Sequence, residues 1–334
     1  MIHRITMADV AREAGVSLMT VSRVLNDQDG ISDATRQRIQ EVVERLGYRR
    51  SNIARGLVTK RTGTLGLVVP DNTNAYFSEV ARGVEHAAYS RGYNVFLCNT
   101  EENVEREKTV LMSLAEKQVD GLILCSSRLA KEELGSYLSY FQAQVLVNRS
   151  LDNDTASAVR PDDENGGRLA VEHLLKHNRR AIGMLAGPER SFSGGLRVKG
   201  YADALAAGGV TLNPAWVKHC LPMVDASRAA AVELLTRCPE LTGIFCFNDL
   251  VAIGALQACL ELGRRVPDDI AIVGFDDIPL ASYVTPSLTT IHTARYEIGV
   301  KASETLLAHL NGETPRVDII LPVELIVRAS TPSG

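Results

Sequence analysis

The first part of the chain carries short stretches of apolar residues at helical spacing. Residues 6–26 contain two such stretches joined by Gly15, and glycine readily adopts the left-handed backbone that ends a helix. Thr6 and Ser17 stand where helix N-caps are expected, and a third helical stretch covers residues 32–46. The pattern predicts a three-helix head with a helix-turn-helix, whose second helix would enter the DNA major groove. A small bundle that only packs is the alternative.

From residue 63 the pattern changes to apolar runs of strand length that alternate with helical segments. Residues 63–148 read as βαβαβ, which is typical of a parallel sheet covered by helices. A second set begins with a strand near 157–161, includes a long helix over 294–311 and closes with one extended segment, 319–328. We therefore predict an α/β body of two doubly wound parallel-sheet lobes. Ligands of such folds bind in the cleft at the carboxyl ends of the strands.

These patterns divide the chain into three parts. Residues 1–48 form the helix-turn-helix head, residues 49–62 a hinge helix or linker, and residues 63–334 a two-lobed domain for effector binding and dimerisation. The linker offers about two turns of helix, too few to be stable alone. It either folds when DNA or a partner helix supports it or remains a flexible tether, and the sequence leaves both open.

Charge is distributed unevenly along the 334 residues. Residues 1–61 hold 11 Lys and Arg against 7 Asp and Glu, a net charge of +4, whereas the remainder holds 25 against 33, a net charge of −8. A basic head on an acidic body suits contact with phosphate at one end. The N-terminus lacks the apolar core of a secretory signal, and no apolar run is long enough to span a membrane, so we expect a cytoplasmic protein. The six cysteines and seven histidines show no metal-ligand spacing, so we predict free thiols and no metal.

Motifs of three enzyme classes are missing from the sequence. It contains no GxGxxG after a strand, no GxxxxGK[ST] and no GxSxG, so neither a nucleotide cofactor nor a catalytic serine is indicated. We expect no cofactor and no enzymatic activity. The chemistry that remains is that of binding.

Polar and aromatic residues follow several predicted strands of the body. Asp276 ends one strand, and Arg197 opens a helix after two glycines. Carboxylate and guanidinium groups both bind adjacent hydroxyls, so a dry cleft that they line holds a neutral polyol. We expect these two residues to contact a ligand. Asp249 and Asp277 are expected to serve local structure instead, and Phe77 is either a ligand contact or a core residue.

Taken together, these stretches resemble the lactose/galactose repressor family of bacterial transcription regulators over nearly the whole chain. The motifs that carry the resemblance are DVAREAGVSLMTVSRVLN (9–26), IARGL (53–57), GLVVPDNTNAYFSEVARGVE (66–85), VDGLIL (119–124), GLRVKGY (195–201), FNDLVAIGAL (247–256), VPDDIAIVGFDD (266–277) and PSLTTIH (286–292). NAYFSEVARGVE and FLCNTEEN are most similar to the ribose and purine repressor branch. The resemblance implies lobes of the periplasmic-binding-protein type behind the head.

The resemblance also implies a function. It is that of a homodimeric repressor of carbohydrate-use genes that binds a pseudo-palindromic double-stranded operator, has no membrane partner and responds to a small sugar-like effector. Hinge helices of both copies would enter the minor groove, with Leu57 wedged between base pairs. Leu18 and Met19 occupy the base-reading positions and are expected to contact thymine methyl groups. The full set of implied DNA contacts is Thr6, Ser17, Leu18, Met19, Thr20, Ser22, Arg23, Asn26, Thr35, Tyr48, Ser51, Ala54 and Leu57.

Strand ends and family resemblance together predict an effector site. Its residues are Asn74, Tyr76, Phe77, Asn148, Arg149, Arg197, Asn248, Asp276 and Thr293. Asn148 stands where the family usually has aspartate, and Thr293 where the ribose-like branch usually has glutamine. The ligand either releases the operator or is needed to hold it, and a dimer is favoured over a tetramer. The alternative function is a sugar-binding carrier-type module without regulatory DNA binding, against which the basic head argues.

Overall fold

The computed structural model describes residues 5–49, 61–151, 156–313 and 315–332. The chain divides into two compact units, Met1–Gly63 and Thr64–Gly334. Most of the predicted linker, together with Ser51, Ala54 and Leu57, lies outside the described residues, so the hinge helix stays a prediction. In the part of the chain that is described, no helix has the length and apolar character needed to cross a membrane.

The head contains the three helices that the sequence predicts: α1 (Met7–Ala14), α2 (Leu18–Leu25) and α3 (Asp33–Leu46). Thr6 forms a complete capping box with Asp9, since the Asp9 amide donates to the Thr6 hydroxyl at 3.3 Å and the Thr6 amide donates to the carboxylate at 3.0 Å. Gly15 ends α1 at a φ of 64°. The three helices share a small core formed by Val10, Ala11, Ala14, Val21, Val24, Ile39 and Val42.

The first lobe of the body is built on a six-stranded parallel sheet. Its elements are β1 (Thr64–Val69), α4 (Ala75–Tyr89), β2 (Asn94–Asn99), α5 (Val104–Glu116), β3 (Gly121–Cys125), α6 (Lys131–Leu138), β4 (Gln144–Val147), β5 (Ser157–Pro161), α12 (Arg295–Leu310) and β11 (Asp318–Leu321). The strand order is β11-β5-β4-β3-β1-β2. The central strands are buried on both faces, which explains their continuous apolar runs.

The second lobe repeats this plan around a second sheet of six strands. Its elements are α7 (Asp163–Lys176), β6 (Ile182–Ala186), α8 (Phe192–Ala207), a 3₁₀ turn (Pro214–Trp216), β7 (Val217–His219), α9 (Val224–Arg237), β8 (Gly243–Cys246), α10 (Asp249–Glu261), β9 (Ala271–Asp276), α11 (Leu280–Tyr283), β10 (Thr289–Thr293) and β12 (Val323–Ile326). The strand order is β12-β10-β9-β8-β6-β7, with only β12 antiparallel to its neighbour. The predicted fold class, a helical head with two parallel-sheet α/β lobes, is confirmed.

Three details of the sequence-based topology are wrong. The strand β5 pairs with β4, and α12 packs on α4 and on the first sheet, so both belong to the first lobe although the sequence placed them in the second. The closing extended segment is two strands, β11 in the first lobe and β12 in the second. Proline at position 322, which has no amide donor for a ladder, separates them.

The chain therefore crosses between the lobes three times. Each crossing is a single residue between two elements: Asp162, Ala294 and Pro322. The first and third crossings are joined by a backbone hydrogen bond of 2.9 Å from the Asp162 amide to the Leu321 carbonyl. Because each connection is so short, the carboxyl ends of the strands of both sheets lie close to the crossings, and a cleft opens there.

Candidate functional site

A cavity lies between the two lobes of the body. The first lobe lines it with Asn74, Tyr76, Phe77, Glu102, Ser126, Arg128 and Asn148, and the second lobe with Ser193, Arg197, Pro222, Phe247, Asn248 and Asp276. Most of these residues follow directly on strands or begin helices, because parallel sheets direct their strand ends to one edge. The two lobes contribute almost equally, so a bound molecule would bridge them.

The backbone at this edge is unusual. Of nine described non-glycine residues with positive φ, four line the cavity: Glu102, Ser126, Asn148 and Asp276, with φ values of 56°, 51°, 58° and 102°. Such conformations each cost of order 1–3 kcal/mol and persist where the surrounding structure enforces them. Their concentration at one cavity makes it the candidate functional site of the body.

Arg197 organises the wall that the second lobe contributes. Its Nε donates to Asp163 Oδ1 at 2.8 Å, and its Nη2 lies 3.7 Å from Asp276 Oδ1. The guanidinium carbon lies 3.6 Å from the centre of the Phe275 ring and 4.8 Å from that of Phe247. Stacking of this kind holds the planar guanidinium of Arg197 in one orientation at the cavity.

The buried Asp276 has an oxygen without a hydrogen-bond partner in the described structure. Within the described residues its Oδ1 has no hydrogen-bond partner, although the side chain is almost fully buried. Burial raises the pKa of this carboxyl to about 7, against the opposing effect of Arg197 and Arg295. A ligand hydroxyl that donates to Oδ1 would satisfy this carboxylate.

Part of the wall of the first lobe is a chain of neutral hydrogen bonds. Tyr76 Oη donates to Asn148 Oδ1 at 2.7 Å, and Asn148 Nδ2 donates to Ser126 Oγ at 3.2 Å. Burial, followed by the charge of Asp276 and then that of Asp163, raises the pKa of the Tyr76 phenol well above its usual value. The phenol therefore remains a neutral donor.

Seven of the nine predicted effector residues line the cavity, and two do not. Arg149 donates from Nη1 to the Ser127 carbonyl at 2.8 Å, and Thr293 donates to the Asp276 carbonyl at 3.4 Å. Sequence reasoning did not identify the six remaining lining residues, which are Glu102, Ser126, Arg128, Ser193, Pro222 and Phe247. Glu102 and Arg128 follow their strands by several residues, so a rule based on strand ends misses them.

Asp249 and Asp277 have the local roles that their positions suggest. Asp249 accepts from the Ile278 amide at 2.8 Å and from the Thr290 hydroxyl at 2.5 Å. Asp277 accepts from Arg328 Nη2 at 2.6 Å and contacts His292 Nδ1 at 2.9 Å. Both carboxylates therefore tie the end of β9 to its neighbours.

The head presents the exposed face of α2. Leu18 and Met19 are 51% and 73% exposed, whereas Val21 and Val24 face the core. An exposed pair of large apolar residues at the start of a helix has the placement that base reading in a major groove requires. The other described members of the predicted DNA-contacting set are exposed or half-buried: Thr6, Ser17, Thr20, Ser22, Arg23, Asn26, Thr35 and Tyr48.

Comparison with known proteins gives a family match for each of the two parts of the chain. A family described as "Bacterial regulatory proteins, lacI family" matches residues 6–51, and one described as "Periplasmic binding proteins and sugar binding domain of LacI family" matches residues 62–329. The chain is 35% identical to an HTH-type transcriptional repressor PurR of Aliivibrio salmonicida, over 91% of this chain and 92% of that protein. It is 36% identical to a ribose operon repressor of Halalkalibacterium halodurans, over 98% of each.

Solved structures show the same relationship. The Lac repressor dimer bound to operator and the anti-inducer ONPF superposes with a TM-score of 0.87 at 28% identity, over 98% of this chain and 99% of that one. The resemblance noted in the sequence is thereby confirmed, including the similarity to ribose and purine repressors. The chain belongs to the LacI family of bacterial regulatory proteins and combines that family's DNA-binding helix-turn-helix with its periplasmic-binding-protein-like sugar-binding domain.

Proposed function

We propose that this protein represses carbohydrate-use genes and that an uncharged sugar in the cavity controls its affinity for the operator. The observation that carries the proposal is the pairing of Arg197 with Asp276, whose Oδ1 is 3.7 Å from Nη2 and otherwise unpartnered in the described structure. A sugar hydroxyl accepts from the guanidinium and donates to the carboxylate at once. A repressor acts on chromosomal DNA, so the protein would work in the cytoplasm.

The effector should be uncharged because the cavity already neutralises its own cations. Arg197 is paired with Asp163 and faces Asp276, and Arg128 is paired with Glu102. An anionic ligand would have to compete with these carboxylates for each guanidinium. Repulsion between like charges in a buried site would then weaken its binding.

Control of the operator would follow from the three short crossings. A ligand that binds both walls favours one arrangement of the lobes, and a ligand shifts an equilibrium only by its differential affinity for the two states. The bridging position of the cavity supplies that difference, since one arrangement lets the ligand contact both walls. This is the basis for an allosteric effect on DNA binding.

We further propose that the protein acts as a homodimer whose second copy covers an apolar surface of the second lobe. Leu260 and Tyr283 are 82% and 80% exposed there, beside a hollow that Leu256, Val284 and Pro286 line. Exposed apolar surface of this extent marks an interaction site. A second copy is the occupant favoured, because two heads are needed to read two operator half-sites.

Binding to the upstream region of the protein's own gene tests the function. Full-length protein should shift this fragment specifically at low salt, and one or more of D-ribose, D-glucose and D-fructose should change the affinity. Met19→Ala should reduce the preference for the operator by about tenfold, the cost of one poorly read base pair, while salt-dependent binding to bulk DNA remains. Arg197→Ala should keep operator binding and lose the sugar response. The proposal fails if no fragment is preferred over genomic DNA.

A further inference from the structure

The cavity is lined by a second buried arginine, which comes from the first lobe and is separate from the ion pairs of Arg197. Arg128, in the loop after β3, donates from Nε to Glu102 Oε2 at 2.6 Å and from Nη2 to Glu102 Oε1 at 3.1 Å. The two side chains are only 7% and 15% exposed, and both residues line the cavity. A bidentate pair of this kind fixes the guanidinium plane as well as its position.

The arginine that the sequence predicted for this wall lies elsewhere. Arg149 is held by the Ser127 carbonyl and by the charge of the buried Glu107, and it does not line the cavity. Glu107 also accepts from the Arg128 amide at 3.0 Å, so Arg149 and Glu107 both contact the backbone of the loop that carries Arg128. Of the two buried arginines of the first lobe, only Arg128 lines the cavity, together with its partner Glu102.

On the basis of the sugar-effector function proposed above, we propose that Arg128, oriented by Glu102, is the effector-binding arginine of the first lobe and sets its specificity for uncharged sugars. In the described structure Glu102 occupies the Nε and Nη2 donors of Arg128, which leaves the Nη1 donors for a hydroxyl oxygen. The Glu102 carboxylate lies beside them and accepts from an adjacent hydroxyl. The two groups together read a pair of neighbouring hydroxyls.

The surroundings of Glu102 hold this pair in place. Glu101 and Glu102 both have positive φ, at 54° and 56°, in the loop between β2 and α5. Glu101 is bound by Arg106 Nη1 at 2.6 Å, and its amide donates to the Pro70 carbonyl at 2.8 Å. A loop anchored through Glu101 presents Glu102 to the cavity in one orientation, so Arg128 is preorganised rather than free to turn.

The pairing of Arg128 with Glu102 would also weaken the binding of anions to the site. A sugar phosphate or sugar acid that accepted from the Nη1 donors would bring its own charge beside the Glu102 carboxylate, which opposes binding. One that bound Arg128 in bidentate fashion would displace Glu102 and leave a buried carboxylate without its partner. A neutral hydroxyl leaves the pair intact. Selectivity for the uncharged form would therefore arise in the first lobe, independently of Arg197 and Asp276 in the second.

Two matched double variants of the full-length protein test this assignment. Arg128→Met with Glu102→Gln removes the pair that lines the cavity. Arg149→Met with Glu107→Gln removes two neighbouring charges that do not line it, and the amide oxygen of the introduced glutamine can still accept from the Arg128 amide. Removing both charges at once avoids leaving a buried ion unpaired. Calorimetric titration with D-ribose, D-glucose and D-fructose, and with D-gluconate and D-ribose 5-phosphate, measures the affinity of each variant. Operator binding is measured in parallel as a check that the fold is intact.

We expect the first double variant to lose about 10- to 100-fold in affinity for the sugar that binds the unaltered protein, the usual effect of losing hydrogen bonds to charged groups. The second should stay within about threefold, and the anions should bind the unaltered protein more weakly than their neutral counterparts. If the two double variants exchange these results, Arg149 is the ligand residue and the inference is wrong. If the unaltered protein binds operator but none of the neutral sugars, the proposed effector class fails, and the inference fails with it.

Discussion

Asp276 combines a strained backbone with a buried carboxylate at the cavity. It ends β9 at a φ of 102°, and its carbonyl accepts from the Thr293 hydroxyl and from Arg295. These contacts hold the backbone in a conformation that few non-glycine residues adopt. They also turn the side chain toward Arg197, which places a buried carboxylate where a ligand would reach it.

The raised pKa of Asp276 predicts that effector affinity depends on pH. A ligand hydroxyl donates to the ionised carboxylate, and the pKa of about 7 means that acidification protonates it within a neutral range. Affinity for the effector sugar should therefore fall as the pH is lowered from 8 to 6. The loss approaches tenfold for each pH unit below the pKa, and calorimetric titration across this range measures it.

Two variants separate Asp276 from its neighbours in this experiment. Asp276→Asn should bind the sugar weakly at every pH, with little slope between 8 and 6. His292 also lies near the end of β9, where its Nδ1 contacts Asp277, so His292→Gln should leave the slope unchanged. A slope that disappears with His292→Gln instead would assign the titration to the histidine.

The same shift has the opposite consequence for the stability of the ligand-free protein. A carboxyl with a raised folded-state pKa holds its proton in the fold at pH values where the unfolded chain has released it. Its contribution to stability is therefore fully present below about pH 4, the usual value of an aspartate, and is lost as the pH rises through 7. Binding and folding thus make opposite demands on Asp276.

The effector site was only partly accessible to sequence reasoning. Asp276 and Asn248 could be identified because they follow strand ends, and Arg197 because it opens a helix after two glycines. Glu102 and Arg128 could not be identified in this way. The loops that bring them together contain Glu102 and Ser126 in the left-handed backbone conformation, which a sequence without glycine at these positions does not predict. Whether an arginine turns toward or away from a cavity is decided by partners distant in sequence, as Arg149 and Glu107 show.

At the scale of elements, the first lobe depends on an unusually close pair of helices. Where α4 meets α12, a Cβ added at Gly83 would lie 2.2 Å from the Tyr296 carbonyl oxygen, and one at Gly299 would lie 2.1 Å from that of Val80. The second lobe has a similar contact between α7 and α8, at Gly167 and Gly200. Backbones packed at this distance leave no space for a side chain on either helix.

Gly299→Ala should therefore destabilise the body markedly. The new methyl group meets backbone rather than a movable side chain, so the helices must separate, at a cost of about 3 kcal/mol in the free energy of unfolding. Urea denaturation followed by circular dichroism measures the change.

Gly135→Ala in α6 is the matched control, because no atom lies within 4 Å of the added Cβ. Its own effect should be neutral or stabilising by up to about 1 kcal/mol, from helix propensity. Equal effects of the two substitutions would contradict the close packing.

The order and type of most elements could be predicted from the sequence, but their grouping could not. Periodicity is a local property, so it located the long helices and apolar strands to within a few residues. Assignment to a lobe depends on pairing between distant segments, such as β5 with β4 and β11. Short elements such as β7 (Val217–His219) and α11 (Leu280–Tyr283) carry too few residues for a periodic signal.

At the scale of the whole molecule, the proposed dimer makes a specific demand on the second lobe. Tyr283→Lys places a charge in the middle of the exposed apolar surface, and burial of an unpaired charge opposes association. We expect the dimer dissociation constant to rise at least tenfold, an effect of about 1.4 kcal/mol, as measured by sedimentation velocity. Tyr140→Lys makes the same change at a tyrosine that is 60% exposed in the first lobe and should leave the dimer intact. A dimer unaffected by Tyr283→Lys would place the contact between copies elsewhere.

Regulation itself is a property of the whole molecule, and it can be measured as a coupling between the two ligands. If the sugar changes operator affinity by some factor, the operator must change sugar affinity by the same factor, typically about 5- to 150-fold. Sugar dissociation constants with and without saturating operator duplex, and operator constants with and without saturating sugar, give that factor twice. All four must be measured at one salt concentration, because operator binding depends steeply on salt. Asp276→Ala should bind the operator normally. The sugar that regulates the unaltered protein, added at the same concentration, should no longer change this operator affinity, since the bridging carboxylate is gone. A factor near one in the unaltered protein would mean that the cavity binds its ligand without controlling the DNA.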